Sequence, residues 1–174
     1  MAQLAIAGGT PVRTKPAPSW PVHTEEEERR ILEVVRSGKW WFGENLKAFE
    51  EEFAAFQDAR FGITCPNGTI GLILALKALG IDAGDEVIVP AYSFFASASA
   101  VAQINAIPVF ADVEESTANI DFDHAETLVT SRTRAVMVVH IAGLPVDMDR
   151  ARAFAQRHNL KIIEDACHSW GSKW

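Results

Sequence analysis

From Phe61 onward, short apolar runs alternate with longer stretches of helical character, and that rhythm constrains the fold more than any other feature. The runs are Phe61–Cys65, Glu86–Val89, Ile107–Phe110, Arg134–Val139 and Lys161–Ile163, and helical stretches fall between them at Thr69–Leu79, Phe94–Ile104, Phe122–Val129 and Met148–His158. Runs this short suit strands buried on both faces, and the helices between them supply the crossovers that parallel strands need. The expected fold is α/β, a mostly parallel sheet sandwiched by helices. Val87 to Ala111 carries no formal charge, yet Pro90, Ser93, Ser97, Ser99, Gln103, Asn105 and Pro108 make it too polar and too interrupted for a lipid-facing helix. It reads as a buried strand, helix and strand in sequence, so no membrane partner is expected.

Ahead of this alternation the chain has a different character. Residues 1–23 hold Pro11, Pro16, Pro18, Pro21 and the pair Gly8-Gly9, which favour an extended arm held by Trp20 and Val22 packing on something else. Met1 to Gly9 lacks the basic start and long apolar stretch of a targeting signal. Residues 24–57 read as a helical segment. Thr24 caps the first helix with Glu27 reaching back, and Glu25 to Glu28 place negative charge at its positive end. Ile31, Leu32, Val34 and Val35 supply its expected buried side, and Ser37-Gly38 ends it. A second helix fits Glu44 to Phe56, where Leu46, Phe49, Phe53 and Phe56 share one face as core or subunit contact. Residues 58–174 are then the first part of the α/β domain.

Charge and cysteine usage narrow the partners. Lys plus Arg is 16 against 23 for Asp plus Glu, a net charge of −7 over 174 residues. With no basic run, the chain is not expected to bind nucleic acid. Cys65 and Cys167 have neither the spacing of a structural zinc site nor the number for a disulfide scaffold, which suits a reducing cytoplasm.

Ligands of open parallel sheets bind beyond the carboxyl ends of the strands, so the residues after each run are the candidates. Pro66-Asn67-Gly68-Thr69 leads into the apolar helix, and the free amides of Gly68, Thr69 and Ile70 point at where an anion would sit. An ordinary turn capped by Asn67 or Thr69 explains the same residues, and the segment matches neither a Walker pattern nor GxGxxG. Ala91 to Phe95 offers an aromatic ring for a planar heterocycle, although at least one of Phe94 and Phe95 is expected in the core. Asp165, in Glu164-Asp165-Ala166-Cys167-His168, is a carboxylate after a buried strand and needs a partner. That partner is a protonated ring nitrogen, a helix amino end or an arginine. Taken together, a phosphate cradle, an aromatic plate and a carboxylate would grip a flat, phosphorylated pyridine, and pyridoxal 5′-phosphate has those features.

In collinear order the chain resembles the DegT-type sugar aminotransferases, among the fold-type I pyridoxal-phosphate enzymes. The resemblance runs through Gly8-Gly9-Thr10-Pro11-Val12-Arg13, Ser37-Gly38-Lys39-Trp40, Phe49-Glu50, Asn67-Gly68-Thr69, Gly84 to Pro90, Pro108 to Val113, His140 to Asp149 and Glu164-Asp165-Ala166. It implies that Gly68 and Thr69, with the Ile70 amide, hold the cofactor phosphate. It further implies that Phe94 stacks on the ring, that Asp165 faces the ring nitrogen and that His168 lies near the ring's phenolic oxygen. Ser93 replaces a usual Thr, and Asn105 replaces a frequent Gly in a turn that needs the left-handed conformation. In such enzymes the lysine that carries the cofactor lies beyond the segment ending at Trp174, and neither Lys161 nor Lys173 is in the right place to be it.

The resemblance implies a homodimer that moves an amino group from an amino acid, Glu or Gln, to a nucleotide-linked keto sugar or a cyclitol. This chain is then a fragment without turnover of its own. A pyridoxal-phosphate-dependent sugar dehydratase, with histidine at the lysine position, is a second reading. A non-catalytic α/β binding or oligomerisation module is a third.

Overall fold

The computed structural model describes residues 3–174. Contacts group the chain into two compact units, Met1–Lys47 and Ala48–Trp174, with the division falling inside the second helix. The expected arm over 1–23 includes residues 1–2, which lie outside the described residues. The rest of the arm holds one short 3-10 turn at Ala5–Ala7, closed by Gly8 at φ 93°, and otherwise no regular structure. Trp20 and Val22 do not anchor it, being 90% and 75% exposed.

Helix α1, Glu25–Ser37, starts as the sequence expects. The Thr24 N–H donates to the Glu27 carboxylate at 2.7 Å, the Glu26 N–H donates to Thr24 Oγ1 at 3.3 Å, and Gly38 closes the helix in the left-handed region. Its expected buried side is absent: Ile31, Leu32 and Val35 are exposed and Val34 is half-buried. One helix and an irregular arm cannot enclose an apolar stripe within their own unit. Helix α2, Glu44–Phe56, stacks Phe49 on Phe53 with centroids 5.5 Å apart, but Phe49 and Phe56 are exposed, so this stripe is no core either.

The second unit also corrects the first expected strand. Residues 61–65 have no regular structure and pair with no strand, and Phe61 and Ile63 are exposed. The Thr64 N–H and hydroxyl donate to Glu50 Oε1 at 2.7 and 2.8 Å, so a side chain of α2 takes the bonds that a ladder would have used. Period-two alternation is satisfied there without a sheet to join.

Four strands remain: β1 Glu86–Pro90, β2 Ile107–Ala111, β3 Thr133–Val139 and β4 Lys161–Asp165, all parallel and ordered β2-β1-β3-β4. Helices α3 (Gly68–Ala78) and α4 (Ala96–Gln103) cover one face, and α5 (Phe122–Thr127) and α6 (Met148–His158) cover the other. Side-chain parity assigns the two cores. Val87, Val89, Ala135, Met137 and Ile163 meet Leu72, Leu76, Ala100 and Val101, while Ile88, Val136 and Val138 meet Phe122, Met148, Ala151 and Phe154. The stretch Val87 to Ala111 is therefore strand, helix and strand, and among the described residues no helix is long and apolar enough to cross a membrane. Asn105 takes φ 62° in the turn before β2, as its replacement of glycine requires.

At the amino end of β1, Glu86 is 3% exposed and fully engaged. Arg132 Nη2 donates to it at 2.5 Å, Thr133 Oγ1 at 3.4 Å, and Thr130 Oγ1 also donates. The Thr130 bond first, with Arg132 helping against burial, holds its carboxyl below the usual range. A carboxyl lowered in the folded state stabilises the fold above its unfolded value near 4.5, and that contribution fades as pH falls through the lower folded value. Glu86→Gln is expected to cost about 1.5–3 kcal/mol near neutral pH. In urea denaturation followed across pH, the gap between wild type and variant should shrink below about pH 4.5.

Candidate active site

The chain steps from β1 outward to β2 and then back across to β3 on the other side of β1. The crossovers β1-α4-β2 and β3-α6-β4 run in opposite directions on opposite faces, as two connections of one hand must. Their divergence opens a crevice at the carboxyl ends of β1 and β3. A cavity of about 360 Å³ lies at this end, lined by Asn67, Gly68, Thr69, Leu72, Ser93, Phe94, Ala96, Val139, Ile141, Asp165, Cys167 and His168. Every residue singled out for the site except Ile70 lines it.

One wall is the start of α3. Asn67 caps the helix, its Oδ1 accepting the Ile70 N–H at 3.0 Å. This corrects the expectation for Ile70, whose amide is already used by the cap. The Gly68 and Thr69 amides keep no intrahelical acceptor and remain for an anion. Gly68 also gives room: a Cβ there would lie 2.7 Å from Cys167 Sγ.

A second wall follows β1. Neither phenylalanine enters the core: Phe94 is 63% and Phe95 69% exposed, with their centroids 4.4 Å apart. The turn projects past the end of the sheet, where no layer covers it, and α4 begins only at Ala96. Phe94 lines the cavity, and Phe95 does not.

The third wall is the end of β4. Strand parity sends Glu164 outward and Asp165 inward, where it is 7% exposed. Asp165 Oδ1 accepts the Cys167 N–H at 3.2 Å. Oδ2 lies 3.5 Å from Ser97 Oγ, itself 2.7 Å from Ser93 Oγ, and the Cys167 thiol also hydrogen-bonds the carboxylate. Since a carboxylate only accepts, the chain of donation runs Ser93 to Ser97 to Asp165. Packing, with the Asp165 carboxylate beside it, pushes the Cys167 thiol up to about 11. His168 is exposed at the cavity's edge.

Sequence reasoning missed Ser97, Cys167 and His140. The four-residue spacing of Ser93 and Ser97, at the entry to a helix of small residues, was the available signal for a buried hydroxyl pair. His140 is buried; its Nδ1 accepts the Val146 N–H at 3.0 Å, so its Nε2 carries the hydrogen facing Glu164 Oε2 at 3.2 Å. That bond, working against burial, keeps the Glu164 carboxyl low. It also fixes the start of the loop that brings Ile141 to the cavity.

A cradle for an anion, an exposed ring and a buried acid thus share one cavity. Residues 21–174 match the model of the DegT/DnrJ/EryC1/StrS aminotransferase family. The chain belongs to this family. It is 39% identical over 178 residues to the L-glutamine:2-deoxy-scyllo-inosose aminotransferase of Streptomyces fradiae, covering 98% of this chain and 42% of that protein. Among solved structures, an aminotransferase from Psychrobacter cryohalolentis superposes with a TM-score of 0.87 at 42% identity, covering 91% of this chain and 41% of the other. Ntda from Bacillus subtilis, solved with its cofactor PMP bound, gives a TM-score of 0.84 at 34% identity, with 91% and 38% covered. The architecture is that of these enzymes, and the chain spans about two fifths of their length.

The close approach at Gly68 makes a stability test. Gly68→Ala should cost about 1–3 kcal/mol through overpacking against Cys167. Adding Cys167→Ala should recover most of the loss in the same denaturation experiment.

Proposed function

We propose that this cavity seats pyridoxal 5′-phosphate, and that the protein is an aminotransferase acting on a keto sugar or cyclitol. The observation that carries the reading is Asp165, a buried carboxylate whose donors among the described residues are all neutral, a backbone N–H, a hydroxyl 3.5 Å away and the Cys167 thiol, in a cavity bounded opposite by the start of α3. A buried carboxylate is costly without a cationic partner, and a protonated ring nitrogen would supply one. Two helix-start amides beside the cavity give the cradle donors that fit a phosphate as well. The bound PMP of the Bacillus subtilis relative, the amino form of the same cofactor, supports the reading.

In this arrangement the Gly68 and Thr69 amides, with the Thr69 hydroxyl, bind the phosphate, and Phe94 covers the ring face. Asp165 holds a proton on the ring nitrogen, and Ser97 and the Cys167 amide orient its two oxygens. His168 lies toward the ring's phenolic oxygen. When bound, the cofactor supplies an electron sink through which an amino group passes from one carbon skeleton to another. Lys161 is at the amino end of β4, opposite the cavity, and Lys173 pairs with Asp58 at 3.8 Å, so neither carries the cofactor. Residues 58–174 form the first part of the cofactor domain in this reading.

The donor is glutamine or glutamate and the acceptor a nucleotide-linked keto sugar or a cyclitol ketone, a choice supported by the name of the Streptomyces fradiae relative. A homodimer in the cytoplasm completes the proposal. The exposed Phe49 and Phe56 supply apolar surface for a subunit contact, and two free thiols suit a reducing compartment. Titration of the chain with pyridoxal 5′-phosphate, followed by absorbance and tryptophan fluorescence, tests the seat. Asp165→Ala should weaken binding by more than tenfold, roughly the 1.4 kcal/mol or more of a charged hydrogen bond. Phe94→Ala should weaken it by about 2- to 10-fold, the worth of one aromatic contact. Unchanged affinity in Asp165→Ala would overturn the reading.

A further inference from the structure

Two thiols flank the start of α3, one of them, Cys167, lining the cavity, and the proposed chemistry uses neither. Cys65 precedes α3 and Cys167 follows β4; both are free and exposed as residues. Their sulfurs nonetheless lie against the same helical turn. Cys65 Sγ donates to the Asn67 carbonyl at 3.2 Å, and a Cβ on Gly71 would lie 3.3 Å from it. Cys167 Sγ lies 2.7 Å from the position of a Cβ on Gly68, the residue next to Asn67. Gly68 and Gly71 are one turn apart on one face of α3, so each thiol fills the space that a side chain would take at one of the two glycines. The Cys65 thiol is also the last of the groups that push the Cys167 thiol up.

We propose that Cys65 and Cys167 are a redox pair whose disulfide ties the turn after β4 to the start of α3 and weakens cofactor binding. The oxidant is a small disulfide of the oxidised glutathione class. The Cys65 thiolate attacks one of its sulfurs; the small S–S bond breaks, one small thiol leaves and takes a proton, and a mixed disulfide remains on Cys65. Cys167 then gives its proton to solvent, its sulfur attacks the Cys65 sulfur, and the second small thiol leaves. Two protein thiols are oxidised to one disulfide while one small disulfide is reduced to two thiols. Packing and Asp165 keep the Cys167 thiol protonated, which leaves the first attack to Cys65. Closing the bond brings the sulfurs to about 2.05 Å. That pulls on the residue whose amide holds Asp165 Oδ1 and whose side chain lines the cavity.

The cofactor effect rests on the reading above; the disulfide does not. The full chain is equilibrated with graded mixtures of oxidised and reduced glutathione, alkylated and analysed by mass spectrometry. Expected is a loss of two hydrogens, a peptide linking Cys65 to Cys167, and no such link in Cys65→Ser. Glutathione adducts without the link, or links only between separate chains, overturn the pair. The oxidised chain should bind pyridoxal 5′-phosphate about tenfold more weakly than the reduced chain, with recovery on adding dithiothreitol. A link with unchanged affinity overturns the effect on binding. A reduced chain that binds no cofactor refutes the proposed function instead, and the mass measurement still decides the pair.

Discussion

An all-parallel sheet must be covered on both faces, because its strands carry apolar side chains in both directions and its connections need helices to return the chain. Here Val87, Val89 and Met137 point into one core and Ile88, Val136 and Val138 into the other, and all are fully buried. With both faces closed, polar chemistry is confined to the strand ends. The carboxyl ends are further parted where β2 and β3 depart from β1 in opposite directions. The position of the cavity follows from the packing of these few valines and isoleucines, before any residue that lines it is considered.

The same parity selects the acid. Glu164 and Asp165 are adjacent, and a one-residue change in register would exchange their roles. Register is set by the pairing of Val139 with Asp165 and of Met137 with Ile163, and by the need to bury Ile163. Glu164 consequently faces His140, which accepts the Val146 N–H and thereby ties the loop after β3 to the end of β4. One carboxylate shapes the cavity wall from outside while its neighbour enters it.

The sheet was legible because β1, β3 and the helices that cover them are patterned by burial, which apolar periodicity records, although on the edge strand β2 Ile107 and Phe110 are exposed. Met148–His158 is bounded as the sequence reads it, with Asp147 capping one end and Asn159 left-handed at the other. Legibility failed where the pattern had no layer to pack on. Phe61 and Ile63 alternate like a strand, and Ile31, Leu32 and Val35 repeat like a buried helix face, yet all are exposed. Phe94 and Phe95 misled for the same reason, since hydrophobicity does not distinguish a core ring from one at an open strand end. Gly68, Thr69, Phe94, Asp165 and His168 came together because strand ends converge whatever the loops do. The Ile70 amide did not join them, because choosing between a cap and a ligand site depends on the rotamer of Asn67.

Two buried carboxylates mark opposite ends of the sheet, and their surroundings separate structure from chemistry. Glu86, at the amino end of β1, receives donors from Thr130, Arg132 and Thr133 and has nothing left to offer a ligand. Asp165, at the carboxyl end of β4, is nearly as buried, yet its donors are one backbone N–H, one distant hydroxyl and the Cys167 thiol, none of them charged. Burial penalises both ions alike, so a fold selected for stability alone would have met the second acid as it met the first. In the proposed reading, a cationic donor from outside the chain completes the surroundings of Asp165, beside the cavity and across from the start of α3. That asymmetry, more than the presence of any single motif, supports the proposal of a binding site at the carboxyl end of this sheet.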